Sequence, residues 1–353
     1  MAADLVAWLR RVRELDGSDL LLVAGVAPMV KASGRLMPVT EAELDTDTIE
    51  AAVLPHVPAA AQARYRNGEA VDFAMNPDGL GRLRVNLHRE RGRAAAAIRA
   101  LPTRIPRLAD LGFTHDISPL ARLPRGLVLV CGPTGSGKTT TLAALVADIN
   151  TRAHRHIVTV EDPIEYEHPH GTCVVEQVEI GIDAPDFPTA LRSALRQAPD
   201  VIVVGEMRDP ETMRIALNAA ETGHLVFATV HATDAAAAVS RIADAFPAER
   251  QNAVRQELAM ALAAVLTQTL VVTTAAALMP AAELLMVSYG ARQHVRKNAL
   301  QHLHQEITIT RKAGSFTYEE SLARLVQQEL LERKDAVMRA AHGEELESIL
   351  GRG

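Results

Sequence analysis

Aromatic residues make up only 3% of this 353-residue chain, although 48% of it is hydrophobic, so its core must be filled mostly by Ala, Val, Leu and Ile. Cysteine is equally scarce. Cys131 and Cys173 are the only two, and they form no C-x-x-C pair. A cysteine-built zinc site is thereby excluded, and a disulfide framework is not expected. The opening Met1-Ala2-Ala3-Asp4 lacks a basic start followed by an apolar core. No signal peptide is expected from it, and the cytoplasm is the expected compartment. One uncharged run, Leu258 to Ala282, is long enough to span a bilayer. It is rich in Ala and Thr, holds Gln268 and Pro280, and has helical spacing only in its first half. The reading is a buried helix followed by a buried strand, not a membrane span. A net charge of −6 argues against nucleic acid as the main partner. The length suits about two domains.

What is present centres on Gly132-Pro133-Thr134-Gly135-Ser136-Gly137-Lys138-Thr139, followed by Thr140. It reads G-x-x-x-x-G-K-T. The apolar run Gly126 to Val130 leads in, and Leu142, Leu145, Val146 and Ile149 lead out at helical spacing. Strand, glycine loop and helix in that order are what a phosphate-cradling loop requires. Glycines turn backbone N–H groups toward phosphate oxygens, and the helix N-terminus adds partial positive charge. Lys138 is placed to reach the β- and γ-phosphates of ATP, and the Thr139 hydroxyl to bind Mg²⁺.

Ahead of this loop the pattern predicts a small α+β domain. Leu5, Trp8, Leu9, Val12 and Leu15 share a helical face over residues 4–15. Short strands follow at Leu20–Val23 and Met29–Lys31, with turns at Gly25 and Ser33-Gly34, then a helical stretch over 41–66. Val71–Met75 and Gly81–His88 read as paired strands. In the second, Leu83, Val85 and Leu87 alternate with Arg82, Arg84, Asn86 and His88, and Arg99 falls on the next strand. From pattern alone the arginines form a solvated face. The boundaries expected are 1–100 for this domain, 101–120 for a Pro102- and Pro106-marked linker, and 121–353 for the ATPase domain with its helical C-terminal part.

Three more apolar runs follow the loop: Ile157–Val160 before Glu161-Asp162, Val201–Val204 before Gly205-Glu206, and Leu225–Val230 before His231. Bounded by helical patterns, they predict a parallel sheet, whose ligands sit beyond the strands' carboxyl ends. Hydrolysis needs a metal, charge neutralisation and an oriented water. Glu161 and Glu206 are the candidate carboxylates, in either division of labour between metal and water. An acid usually follows the second strand directly; here Gly205 intervenes, and Asp200 precedes the strand. His231 could sense the γ-phosphate, with His224 a weaker candidate. Helices are expected at Glu249–Leu266 and Tyr318–Leu331.

These stretches resemble the type IV pilus retraction ATPases (the PilT family) of the secretion-ATPase superfamily, almost end to end. The resemblance rests on Ser18-Asp19-Leu20, Pro124 to Leu145, Val158 to Glu165, Asp200 to Asp209 (with Gly205 included), and Thr222 to His231. It implies an α/β, RecA-like P-loop ATPase core with a smaller PAS-like α+β N-terminal domain. It implies a homohexamer with ATP between subunits, acting on an inner-membrane pilus platform protein from the cytoplasmic face, with a second pilus ATPase as a further partner. Glu161 becomes the catalytic base, Glu206 the metal and water ligand, and His231 the phosphate sensor. Arg82, Arg84 and Arg99 match strands that present arginines to nucleotide, without a choice among them. The chain departs from the family at Leu21, where histidine is common, and at Val271–Leu278, which lacks the usual basic and glycine residues. The family's Ala-Ile-Arg-Asn-Leu-Ile-Arg appears as Gly290-Ala291-Arg292-Gln293-His294-Val295-Arg296. The expected function is an ATP-hydrolysing retraction motor. An accessory retraction motor, a pilus-extension or type II secretion ATPase, a weakly hydrolysing regulatory module and a RecA-type nucleic-acid motor are the alternatives. Extension and secretion ATPases usually carry a four-cysteine zinc module, which is lacking here.

Overall fold

Two runs of strands become two separate sheets in the computed structural model, which describes residues 5–32 and 34–351. The opening tetrapeptide and Ser33 of the expected Ser33-Gly34 turn lie outside the described residues. The chain divides into one unit formed by Met1–Arg104 with Pro163–Glu167 and another formed by Ile105–Asp162 with His168–Gly353.

In the first unit, α1 (Leu5–Glu14) buries Leu5, Trp8, Leu9 and Val12, the face its spacing predicts. Strands β1 (Asp19–Val23), β2 (Met29–Ala32), β3 (Arg35–Pro38), β4 (Val71–Met75), β5 (Leu83–Glu90) and β6 (Arg93–Ala100) form a sheet of order β3-β2-β1-β6-β5-β4. Every pairing in it is antiparallel. Helices α2 (Thr46–Val53) and α3 (Ala59–Arg66) occupy the stretch expected to be helical. The strand expected at Gly81–His88 starts two residues later, because Gly81 takes a left-handed φ of 69°. Leu83, Val85 and Leu87 point inward, while Lys31, Asp19, Arg99 and Arg84 follow one another across the opposite face in register.

The second unit holds β7 (Gly126–Cys131), α4 (Lys138–Arg152), β8 (His156–Glu161), β9 (Val174–Glu179), α5 (Phe187–Ala194), β10 (Val201–Val204), α6 (Pro210–Glu221), β11 (Leu225–Val230), α7 (Ala235–Asp244), α8 (Ala248–Ala261), β12 (Leu262–Val272) and β13 (Leu278–Met286). Then come α9 (Tyr289–Arg296), α10 (Leu303–Ile309), α11 (Tyr318–Gln327), α12 (Arg333–Arg339) and α13 (Gly343–Leu350). Its sheet order is β13-β12-β7-β11-β10-β8-β9. All neighbours run parallel except the edge strand β13. Strands β7, β10 and β11 are buried along their whole length, as continuous apolar runs between helical layers should be.

Two helices are shorter than their patterns suggest. The first ends at Ala261, not Leu266, and the last apolar stripe ends at Gln327, not Leu331. Beyond Ala261 the β-branched residues Val265, Thr267, Thr269 and Val271 favour a strand, and β12 slots between β7 and β13. The uncharged run therefore becomes the end of α8 and most of a β-hairpin. No helix among the described residues is long and apolar enough to cross a membrane. In the stretch read as a linker, Ile117 and Leu120 are buried against α4 and β7 within the second unit.

Candidate nucleotide site

Because β7, β8, β10 and β11 run parallel, their carboxyl ends share one edge of the sheet. Gly132, Glu161, Gly205-Glu206 and His231 therefore come together from distant parts of the chain. Asp200 and His224 precede their strands and lie at the other edge. There Asp200 accepts from the His156 backbone N–H at 2.8 Å, and His224 Nδ1 lies 2.9 Å from the Ala219 carbonyl.

The loop itself is shaped by glycine. Gly132, Gly135 and Gly137 take φ values of 146°, 77° and 86°, a region that L side chains rarely adopt. A Cβ on Gly132 would lie 2.2 Å from the Gln268 carbonyl oxygen. The loop is thus pressed against β12, and the Gln268 side chain holds it there. Gln268 Nε2 donates to the Ser136 carbonyl at 2.7 Å, and Gln268 Oε1 accepts from Thr141 Oγ1 at 2.9 Å. Ser136 Oγ is buried and has no hydrogen-bond partner among the described residues. Lys138 begins α4, is buried, and donates to the carbonyls of Gly132 and Pro133 at 3.0 and 2.9 Å. Burial lowers its pKa, against the opposing pull of Glu206 and Cys131.

His231 joins the lysine to an acid. Its Nδ1 lies 3.5 Å from Lys138 Nζ, and its Nε2 lies 3.2 Å from Glu206 Oε1. An ammonium can only donate, so the consistent tautomer accepts at Nδ1 and donates from Nε2. Glu206 Oε2 pairs with Arg208 at 2.7 Å. Burial pushes the Glu206 pKa up, but the Arg208 bond and charge, with His231 and Lys138, outweigh it and hold the group below its ordinary value.

Glu161 has a different environment. Its Oε1 accepts from Thr159 Oγ1 at 2.7 Å and from Gln177 Nε2 at 3.1 Å, residues that face each other across β8 and β9. The intervening Gly205 has a steric reason. A Cβ there would sit 3.1 Å from the Val160 carbonyl oxygen and 3.3 Å from Glu161 Cα. Its carbonyl accepts from Thr229 Oγ1, which ties β10 to β11 just before Glu206.

The structure brings together the loop, Glu161, Glu206 and His231. Arg82, Arg84 and Arg99 lie in the first unit. Arg82 donates to the Ile164 carbonyl at 3.0 Å and pairs with Glu167 at 3.2 Å. Arg99 pairs with Asp19 at 2.8 Å, and Arg84 lies 3.8 Å from Asp72. Gln268, Arg208, Thr159 and Gln177 were not singled out by sequence for the site. Gln268 did carry a signal: an amide inside a buried apolar run must find partners.

In the altered 290–296 segment, Arg292 donates to the carbonyls of Ala259 and Met260 at 2.6 and 2.7 Å, capping the end of α8. Its counterpart Arg296 lies one turn on, beside Met260.

The fold and this site define a P-loop α/β protein built to bind a nucleotide's phosphates. Residues 64–347 match the family model of the Type II/IV secretion system proteins. The chain is 38% identical to the type IV pilus retractation ATPase PilT of Pseudomonas aeruginosa, over 94% of this chain and 97% of that one. It is 37% identical to the type IV pilus ATPase PilU of the same organism, over 98% of this chain and 91% of that one. A crystal structure of the pilus retraction motor PilT with bound ADP superposes with a TM-score of 0.90 at 37% identity, covering 98% of this chain and 99% of that one. The chain belongs to the Type II/IV secretion system protein family and, within it, to the PilT family.

Proposed function

We propose that this protein is a motor ATPase that hydrolyses ATP to drive type IV pilus retraction, working as a homohexamer on an inner-membrane platform protein from the cytoplasmic face. The observation that carries hydrolysis is the convergence of Lys138, Glu161, Glu206 and His231 on one sheet edge. Likeness to a retraction motor with bound ADP over nearly the whole chain supports the pilus role.

Residues 132–140 fit a triphosphate: three left-handed glycines, a buried lysine on loop carbonyls and a buried, unpartnered Ser136 hydroxyl. Lys138 would exchange those carbonyls for phosphate oxygens. Thr139 and Glu206 are the residues to hold Mg²⁺, and Glu206, kept ionised by Arg208, suits a cation better than a proton. Mg²⁺, when bound, neutralises charge on the phosphate oxygens. Glu161, which accepts from the Thr159 hydroxyl and the Gln177 amide at its strand end, is the base that orients and deprotonates the attacking water. His231, between Lys138 and Glu206, reports the γ-phosphate to both. Arg82, Arg84 and Arg99 are proposed to face nucleotide held by a neighbouring subunit; the exposed strand positions of Arg84 and Arg99 fit this, whereas Arg82 precedes β5 and is mostly buried on Ile164 and Glu167.

A steady-state ATPase assay on wild type and Glu161→Gln tests hydrolysis: equal rates would refute it. A deletion strain tests the direction of work. Surplus surface pili with lost twitching support retraction, and bald cells indicate extension. An accessory motor is the second reading, favoured by the altered 290–296 segment; normal twitching in the deletion strain would favour it.

A further inference from the structure

Away from the nucleotide site, the C-terminal helices gather a second group of ionisable side chains. His304 of α10, Glu319 of α11 and Glu345 of α13 each offer one ligand atom, and these atoms all lie within 4.8 Å of one another. His304 Nε2 lies 2.8 Å from Glu345 Oε2. The other oxygen of Glu345 accepts from Thr317 Oγ1 at 2.9 Å.

Glu319 is the telling member. It is only 1% exposed. Its Oε1 accepts from the His342 backbone N–H at 2.8 Å, while Oε2 is buried and has no partner among the described residues. Among those residues neither Glu319 nor Glu345 is paired with a lysine or arginine. A desolvated carboxylate oxygen without a donor is expensive, and folded proteins rarely keep one unless something else fills the role. The location in the first turn of α11 helps through the helix dipole, but that effect is small.

We propose that His304, Glu319 and Glu345 form a binding site for a divalent first-row transition cation, with Zn²⁺ the best match. Two carboxylates and a neutral imidazole balance a charge of +2. One nitrogen and two oxygen donors form a set that Zn²⁺ accepts, and a fourth position is left for water. Outer contacts already orient the ligands, as metal sites require. Thr317 holds Glu345, the His342 N–H holds Glu319, and the His342 ring packs on His304 with centroids 4.0 Å apart. On binding, the Nε2 proton that His304 donates to Glu345 exchanges through solvent to Nδ1, leaving a neutral ring whose Nε2 lone pair turns to the ion. The Glu345 oxygen that faced Nε2 then becomes a ligand. The ion would tie α13 to α10 and α11.

The test uses the full chain, stripped with chelator and free of nucleotide, titrated with Zn²⁺ alone and with Mg²⁺ as control. The expected result is one Zn²⁺ per chain by calorimetry and an unfolding midpoint that rises by several degrees with Zn²⁺ but not Mg²⁺. Glu319→Gln and His304→Gln should each weaken binding by more than about 100-fold, beyond the 10–100-fold typical of outer-contact changes. Zn²⁺ bound with unchanged affinity by both variants would mean a surface-histidine site and would overturn the proposal. Should a variant fail to fold, Co²⁺ added to wild type still decides. Visible d–d absorption that Zn²⁺ abolishes supports the site, and its absence overturns it.

Discussion

A Cβ atom on Gly290 would lie 2.4 Å from Glu306 Oε1. Glu306, on α10, is 7% exposed and accepts from Ser288 Oγ, the N-cap of α9. His294 Nε2 reaches the same Oε1 at 3.5 Å. Two of the departures from the family's Ala-Ile-Arg-Asn-Leu-Ile-Arg pattern, glycine for alanine and histidine for leucine, thus face one buried carboxylate. In this chain the glycine leaves room for the Glu306 carboxylate and the histidine lies beside it.

Gly290→Ala should push the Glu306 carboxylate off Ser288 and His294 at a cost of about 1–3 kcal/mol, of which helix propensity returns about 1 kcal/mol. Glu306→Ala should remove most of that penalty, so the double variant is more stable than the sum of the singles predicts. Denaturant midpoints for the four proteins check this. Additive losses would separate the two residues.

Gln268→Leu keeps the volume but removes both bonds that hold the phosphate loop against β12. The expected outcome is a nucleotide Kd about tenfold weaker, equivalent to ~1.4 kcal/mol. Titration with a fluorescent ATP analogue measures it, and an unchanged Kd would show that the loop holds its shape without Gln268.

Arg99 pairs with Asp19, but its side chain is 62% exposed. Such a pair contributes ~0–1 kcal/mol to stability, so Arg99→Ala should barely alter the unfolding midpoint. If Arg99 supplies charge to the reacting phosphate of a neighbouring subunit, turnover falls by about 10³-fold or more. ATP binding to an isolated subunit would change little. Loss of binding in step with turnover would count against the role.

Burial, with a smaller contribution from the Arg324 charge, pushes the His115 pKa down from 6.5 to about 4. The folded chain therefore prefers the neutral ring, stacked on Phe316 at 4.1 Å. The resulting stability is fully present above about pH 6.5 and is lost as pH falls toward about 4. His115→Phe should flatten the decline of the denaturant midpoint across that interval. An equally steep decline would assign it to other groups.

Local patterns were enough for much of this molecule. The G-x-x-x-x-G-K-T spacing, the apolar runs and the helical stripe of α1 carry their structure in neighbouring residues, because phosphate loops, buried strands and amphipathic helices each need a fixed short-range order. Glu161, Glu206 and His231 were legible for the same reason: each directly follows, or nearly follows, an apolar strand. Where competing local preferences met, the pattern overran. Helical spacing continued past Ala261, yet the chain turned there into β12, since a strand could be buried between β7 and β13.

Sequence alone determined that this protein carries a phosphate loop on a parallel sheet, with its acids and histidine at strand ends. Tertiary structure decided which side chains meet. It put His231 between Lys138 and Glu206, set Gln268 behind the loop, and drew Gly290 against Glu306. It also brought His304, Glu319 and Glu345 together from three helices. Those relationships depend on strand order and helix packing across long stretches of chain, and no short-range spacing records them.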